Sequence, residues 1–489
     1  MPLHVSTTSS GYTVEVERWG SARELVWSDR FEGEYHAVPE NADADGCDWP
    51  TAVEIPVGVD WGSGFYLVTL RADDAPPGKE VSHAGFVVRA GTRRQRALLV
   101  LATNTWNAYN TWGGKSLYTG GNAVSFRRPF ARGMLCRPEV DRDDRKARPR
   151  RWGEEPDSDG TIFQAYRTEN NYPSAIGSTG WFTHERRFAA WAEARGHSFD
   201  YAISSDLKPA LLEGYDLVVS VGHDEYWSAE ARETVEAFVA AGGNLASFSG
   251  NTMFWQVRLE GDEPDDGLGH RMVCHKYSAE HTDPIVAAEP TKMSGMWCDP
   301  LVGQPEWRVI GAGSAFGLYH RFGQATPRAA GGFTVYRPDH WLFAGSDLRY
   351  GDLLGGDDGV VGYETVGCRL TFDEYQQPVV APDLLMQASD LPTSTEIVAF
   401  APSSNLGVGE YPASIAALSD QGDLEFLAQR LCGNVDDDSL ARIRHGNAVM
   451  LVCSNGAGEV VTVGSTDWVF GLDDPAVALV TENVLARYC

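Results

Sequence analysis

Tyr215-Asp-Leu-Val-Val-Ser-Val-Gly-His-Asp-Glu-Tyr-Trp227 is the stretch that decides how this chain is read. Residues 215–221 form an apolar run of strand length, and Gly222-His-Asp-Glu225 follows with no spacer. Strands of a parallel sheet deliver whatever follows them to one carboxyl-terminal edge, where open α/β folds place their ligand sites. Two other apolar runs end in the same way. Arg96–Leu101 leads into Asn104-Thr-Trp-Asn-Ala-Tyr-Asn110, and Asn244–Phe248 leads into Ser249-Gly-Asn251. Three polar clusters, each directly behind a buried strand, exceed what packing alone explains.

Outward from that motif, strand and helix alternate. A helix is expected over Trp181–Arg195 and a strand over Ser198–Ile203. A second helix, with Val235, Phe238 and Val239 at helical spacing, is capped by Ser228 and stopped by Gly242-Gly243. Val360–Glu364, Ala448–Val452 and Val460–Val463 are read as later strands, and Pro475–Tyr488 as a last helix. This pattern predicts a doubly wound, mostly parallel sheet over residues 93–489. Residues 1–92 instead carry short alternating runs separated by Gly, Pro, Asp and Asn, which predicts an immunoglobulin-like β-sandwich with Trp61, Phe65 and Tyr66 as core and corner aromatics. Two segments break the α/β alternation. Residues 127–151 hold ten Arg or Lys against four acidic residues and read as a solvated basic loop, or else as a docking surface for an acidic partner. Residues 256–358 lack helical periodicity and read as an irregular excursion that roofs the site.

The net charge of −28 over 489 residues repels phosphate backbones and anionic lipid surfaces, so neither nucleic acid nor membrane is expected as a partner. Eight cysteines, none within 20 residues of another, fit neither a disulfide framework nor a thiolate zinc knuckle. The start of the chain shows no basic, then apolar, leader, and no run is long enough to span a bilayer, which makes a cytoplasmic protein the expectation.

Several chemical signatures fail on inspection. Neither Gly-x-Ser-x-Gly nor His-Glu-x-x-His occurs. Cys453 lies inside an apolar strand and reads as core. His270, Cys274, His275 and His281 match no structural zinc spacing. Gly311-Ala-Gly-Ser-Ala-Phe-Gly317 resembles a dinucleotide loop only faintly, because no helix follows it. The strand-end residues fare better. Tyr109 and Tyr118 flank a glycine-bearing turn, and with Glu225 they supply hard oxygen donors suited to a hard cation. Two phenolates and a carboxylate neutralise a trivalent ion such as Fe3+, and that cation in turn lowers the phenol pKa.

The same residues resemble a known family. Asn104–Asn110, Lys115-Ser-Leu-Tyr118, Gly222–Ser228, Gly243–Asn251 with Met253-Phe-Trp255, Ser294-Gly-Met-Trp297, Gly362-Tyr-Glu364 and Thr481-Glu-Asn-Val-Leu485 are similar to the catalytic region of the large (beta) subunit of N,N-dimethylformamidase. The resemblance runs through most of residues 93–489. It implies a glutaminase-like α/β core and one iron ion per chain held by Tyr109, Tyr118 and Glu225. His223, Asn251 and Glu364 would stand around it as catalytic residues. A small amide, above all an N-substituted formamide, would be the substrate, and a homo-oligomer or small companion subunit the assembly. Chemically, the ion would act as Lewis acid, His223 or Glu364 would move protons, and Asn251 would stabilise the oxyanion. The alternatives are an iron-dependent oxidoreductase on the same residues and a non-catalytic binding protein working through the sandwich and the basic loop.

Overall fold

The computed structural model describes residues 1–489 apart from 77, 93–94, 139–166, 168, 174, 262–269, 321, 323–330 and 412–421. Its centre is a nine-stranded mixed sheet. In spatial order the strands are Leu353–Leu354, Phe333–Val335, Ser394–Ser404, His445–Asn455, Gly458–Thr462, Asn244–Gly250, Leu217–His223, Ala97–Leu101 and Asp200–Ile203. The last five named are parallel to one another. Read from the Asp200–Ile203 edge inward, their places along the chain are second, first, third, fourth, fifth, so the winding direction reverses between Ala97–Leu101 and Leu217–His223. Such a reversal opens a crevice at the carboxyl ends of the two strands that flank it.

The expectation of a mostly parallel sheet needs correction. From Gly458–Thr462 outward every ladder is antiparallel. The reason lies in the connections: His445–Asn455 and Gly458–Thr462 are joined by a tight turn, which permits only an antiparallel hairpin, whereas the parallel strands are linked through longer crossovers. Val360–Glu364 is no strand either. It runs as irregular chain, with Glu364 in a single bridge to Tyr319.

Leu217–His223 lies between two parallel neighbours and is buried along its whole length. Val218, Val219 and Val221 each contribute about 1.5–3 kcal/mol by leaving water. Its register sets His223 level with Gly250, so Asn251 emerges beside it at the same edge. The helix Ala229–Ala240 begins as the sequence predicts, with the Ser228 side chain accepting from the Ala231 amide at 3.2 Å. The helix expected from Trp181 begins only at Glu185, and the Pro475–Tyr488 helix has the predicted limits.

The first 88 residues are mainly β, with one short helix at Ala42–Asp45. Arg23–Glu32, Gly11–Trp19, Gly64–Ala72 and Val81–Val88 form one antiparallel sheet, and Pro2–His4 pairs with Thr51–Glu54 in a second. Leu3, Val14, Val16, Val53, Ile55 and Val68 pack between them. Within Gly64–Ala72 the two-residue strand period divides the side chains. Tyr66 and Val68 enter this small core, while Phe65 and Leu67 join the large core of the α/β region, where Phe65 stacks on Trp181 at 4.2 Å.

The basic segment is partly structural. Arg128 is buried and donates to the Trp112 carbonyl at 2.6 Å and the Asn110 carbonyl at 2.9 Å. Arg137 is buried as well, and residues 139–151 of this segment lie outside the described residues. Within 256–358, the structure adds what periodicity does not predict, the hairpin Trp255–Glu260/Arg271–Val273 and two strands that extend the large sheet; residues 262–269, 321 and 323–330 lie outside the described set. No helix among the described residues is long and apolar enough to cross a membrane.

Candidate functional site

The three strand ends meet where the winding reverses. After Ala97–Leu101 the chain enters the short helix Thr103–Tyr109, which ends on Tyr109. This helix grips the motif behind Leu217–His223. Thr105 Oγ1 accepts from the Glu225 amide at 3.0 Å, and Asn104 Nδ2 donates to the Tyr226 carbonyl at 3.2 Å. Gly222 sits at φ +78 with its α-carbon against His184, where a Cβ would lie 2.3 Å from the His184 Cβ. A glycine is therefore required one residue before the first functional side chain.

Tyr109, Tyr118 and Glu225 converge. Tyr118 Oη donates to the Glu225 carboxylate at 2.8 and 2.9 Å, Tyr109 Oη donates to it at 3.2 Å, and the two rings lie 4.2 Å apart. The turn that carries Tyr118 is short and braced. Arg128 holds its carbonyls, and the Asp43 side chain accepts from the Lys115 amide at 2.7 Å. Three residues outside the expected set complete this half. Trp255 Nε1 donates to Glu225 Oε1 at 2.7 Å, Tyr226 Oη donates to Tyr118 Oη at 2.9 Å, and Lys276 Nζ lies 3.3 Å from the Tyr118 ring centroid. Lys276 is buried at φ +51, in the left-handed region that a lysine seldom occupies.

His223, Glu364 and Asn251 form the other half. His223 Nε2 lies 2.6 Å from Glu364 Oε2 and 3.2 Å from Glu225 Oε2. On the far side of the ring, Nδ1 faces the Ser178 carbonyl at 3.0 Å and Tyr363 Oη at 2.8 Å. A carbonyl only accepts, so Nδ1 carries a proton and Nε2 is the nitrogen presented to the carboxylates. Asn251, itself at φ +49, donates from Nδ2 to Glu364 Oε2 at 3.1 Å. All six expected site residues thus fall in one cluster, and all but the half-buried Tyr118 are buried.

Electrostatics divides the groups. Burial, then the Glu225 charge, pushes the Tyr109 and Tyr118 phenols well above their ordinary pKa. Burial also opposes the charge on Glu225, but the hydrogen bond and charge of His223, with Lys276 and Tyr118, outweigh it and hold its carboxyl low. Glu364 moves upward through burial, only partly offset by His223. On His223 burial is overcome by the two carboxylates, and its pKa rises well above the usual imidazole value. The arrangement is one of paired acids around a single imidazole, a pattern typical of sites where protons are moved.

Whether the cluster suits a cation is a question of donor chemistry. No three His, Cys, Asp or Glu side chains among the described residues form a metal-holding group, so a cation here would depend on the phenols. Both phenol oxygens lie within hydrogen-bonding reach of one carboxylate, which makes a compact set of hard donors and fits a small hard ion. Cys274 Sγ faces the Gln256 and Ser294 carbonyls, and His275 bonds to Thr282.

Fold and site together define a mixed α/β protein with a buried phenol–carboxylate–imidazole centre at the switch point of its sheet. The chain belongs to the N,N-dimethylformamidase beta subunit-like, C-terminal family, whose model matches residues 13–482. That match begins inside the N-terminal β region, well ahead of residue 93, so the four-stranded β sheet is covered almost entirely by the family model together with the α/β core, and Pro2–His4 lies outside it. No curated protein matches the chain.

Proposed function

We propose that this protein hydrolyses the C–N bond of a small amide, an N-substituted formamide above all, at the Tyr109–Tyr118–Glu225–His223–Asn251–Glu364 cluster. The single observation that carries this reading is the meeting of two phenols and a carboxylate within 3.2 Å, directly beside the His223–Glu364 pair. Family membership supports it. Tyr109, Tyr118 and Glu225 would hold one Fe3+ ion, which supplies Lewis acidity that polarises the amide carbonyl and acidifies water.

The chain's own residues do the rest. Trp255 and Thr105 hold Glu225 in place from side chain and backbone. His223, oriented by Ser178 and Tyr363, shares a proton with Glu364 across 2.6 Å. That pair takes a proton from the attacking water as its oxygen bonds to the carbonyl carbon, and returns one to the leaving nitrogen as the C–N bond breaks. Asn251 donates from Nδ2 to the carbonyl oxygen as negative charge develops there. Acid and amine are the products.

The same proposal treats residues 93–489 as a doubly wound, glutaminase-like catalytic domain and 1–92 as an immunoglobulin-like one. For the latter, Tyr66 Oη donates to the Gly62 carbonyl four residues upstream at 2.8 Å, the hydrogen bond of a tyrosine corner. A companion subunit accords with the family's description as a beta subunit. A cytoplasmic location remains part of the reading.

The test is anaerobic incubation with N,N-dimethylformamide and related formamides, with assay of amine and acid beside metal analysis and a visible spectrum. Amine and acid in equal amounts, from a coloured protein with about one iron per chain, is the expected result. Turnover that requires oxygen would instead indicate oxidative chemistry, and full activity in an iron-free protein would remove the ion from the reading.

A further inference from the structure

The glycine-rich stretch Gly311–Gly317, weak as a dinucleotide loop, has a different job in space. Gly313 pairs with Gly367 through reciprocal hydrogen bonds of 2.7 and 3.0 Å, three residues beyond Glu364. A Cβ on Gly313 would lie 2.5 Å from Glu306 Oε1 and 2.8 Å from the Trp307 ring, so a larger residue there would have to displace both side chains. The next residue, Ser314, is wholly buried. Its amide donates to Glu306 Oε1 at 3.2 Å and its hydroxyl donates to Asn251 Oδ1 at 2.6 Å.

That second bond bears on chemistry. The two ends of a carboxamide are alike in shape and opposite in hydrogen bonding. With Oδ1 occupied by Ser314, the Asn251 Nδ2 end is turned to Glu364 at 3.1 Å and towards His223 Nε2 at 3.4 Å. The reversed amide would set Oδ1 against the Glu364 carboxyl, acceptor against acceptor. We infer that Ser314 is a positioning residue, which presents Asn251 to the reacting carbonyl oxygen as a donor and keeps its own oxygen out of the reaction. The inference rests on the reading of Asn251 as that donor.

Three variants, Ser314→Ala, Ser314→Cys and Asn251→Ala, together with the double variant Ser314→Ala/Asn251→Ala, test it on dimethylamine release from N,N-dimethylformamide. Alanine removes the hydroxyl without adding bulk, whereas cysteine puts a larger and weakly donating group in its place, so a loss common to both variants reports the hydrogen bond and not one change in packing. The expected result is a kcat about ten- to a hundredfold lower in both Ser314 variants, KM within about threefold, and iron content unchanged. The double variant should be no slower than Asn251→Ala, because both changes act through one amide. A crystal structure of Ser314→Cys should show the Asn251 amide turned or displaced from Glu364. Parental kcat in Ser314→Cys, additive losses in the double variant, or an unmoved Asn251 amide would each overturn the inference while leaving the role of Asn251 standing. Parental kcat in Asn251→Ala would overturn both.

Discussion

Two buried carboxylates in this molecule are surrounded by tyrosines, and their surroundings differ in kind. Asp423 accepts from three phenols, Tyr277 at 2.8 Å, Tyr319 at 2.7 Å and Tyr411 at 2.5 Å, and Tyr411 Oη in turn accepts from the Asp423 amide. Every group there is a donor matched to one acid, which ties three distant segments together. Glu225 also accepts from two phenols, yet a second carboxyl, Glu364, faces the same His223 Nε2. Around Glu225 two carboxyls meet the imidazole of His223 and the ammonium of Lys276, whereas Asp423 is held by neutral phenol donors. Neutral donors fixed on one acid hold a fold together, whereas two carboxyls that share one imidazole nitrogen leave a proton that can move between them.

The largest expected effect breaks this comparison at its chemical end. Glu225→Gln keeps the shape but removes the charge, and should lower amide cleavage by about a thousandfold and abolish iron uptake, read by turnover and metal analysis. An active, iron-loaded Glu225→Gln protein would make the two carboxylates equivalent. At the structural end, Asp423→Asn should cost about 4 kcal/mol in denaturant unfolding while the folded fraction cleaves amide within about threefold of the parent. Selective loss of turnover without loss of stability would reverse the assignment.

Glu185 is an intermediate case that sharpens the contrast. It is buried, accepts from Trp106 Nε1 at 2.8 Å, and its Oε2 has no hydrogen-bond partner among the described residues. Burial raises its pKa from 4.5 to about 7. Between these values the unfolded chain ionises this group and the native protein keeps it protonated, so the native state binds more protons and stability falls as pH rises through the window. Glu185→Gln should therefore gain on the parent by about 3 kcal/mol in unfolding free energy between about pH 5 and about pH 8. A constant difference across that range would show that Glu185 is already charged in the fold. The smallest effect is Tyr411→Phe, which removes one of the three phenols on Asp423 and should cost about 1 kcal/mol in the same measurement with turnover unchanged.

Much of the site is legible in the amino-acid sequence. Tyr109, Glu225 and Asn251 each follow an apolar run, and a strand end is a position that local sequence marks well. Tyr118 is marked by its place across a glycine turn, and Glu364 by its Gly-Tyr-Glu context alone. The partners are not legible. Ser178, Thr105, Lys276 and Ser314 carry no local signal for their contacts, since each meets the site through a bond to a residue 45 to 120 positions away or through a ring it packs against. Tyr226 and Trp255 stand inside the quoted motifs, and only their side-chain directions give them a function.

The fold divides along the same line. Apolar runs and caps, read locally, place Leu217–His223, Ala229–Ala240 and Pro475–Tyr488, because period, cap and stop act over a few residues. Only the tertiary structure decides that Val360–Glu364 stays irregular, that half of the sheet is antiparallel, and that Phe65 and Leu67 face away from the small β core. Those outcomes depend on which distant surface offers a partner, and side-chain pattern carries no record of distance. Local pattern marks Tyr109, His223, Glu225 and Asn251 as side chains behind apolar strands, at the sheet's carboxyl edge. Their closing into one acid-rich pocket belongs to the strand register and the reversal of winding, which bring residues 109, 118, 223, 225, 251 and 364 within reach of one another.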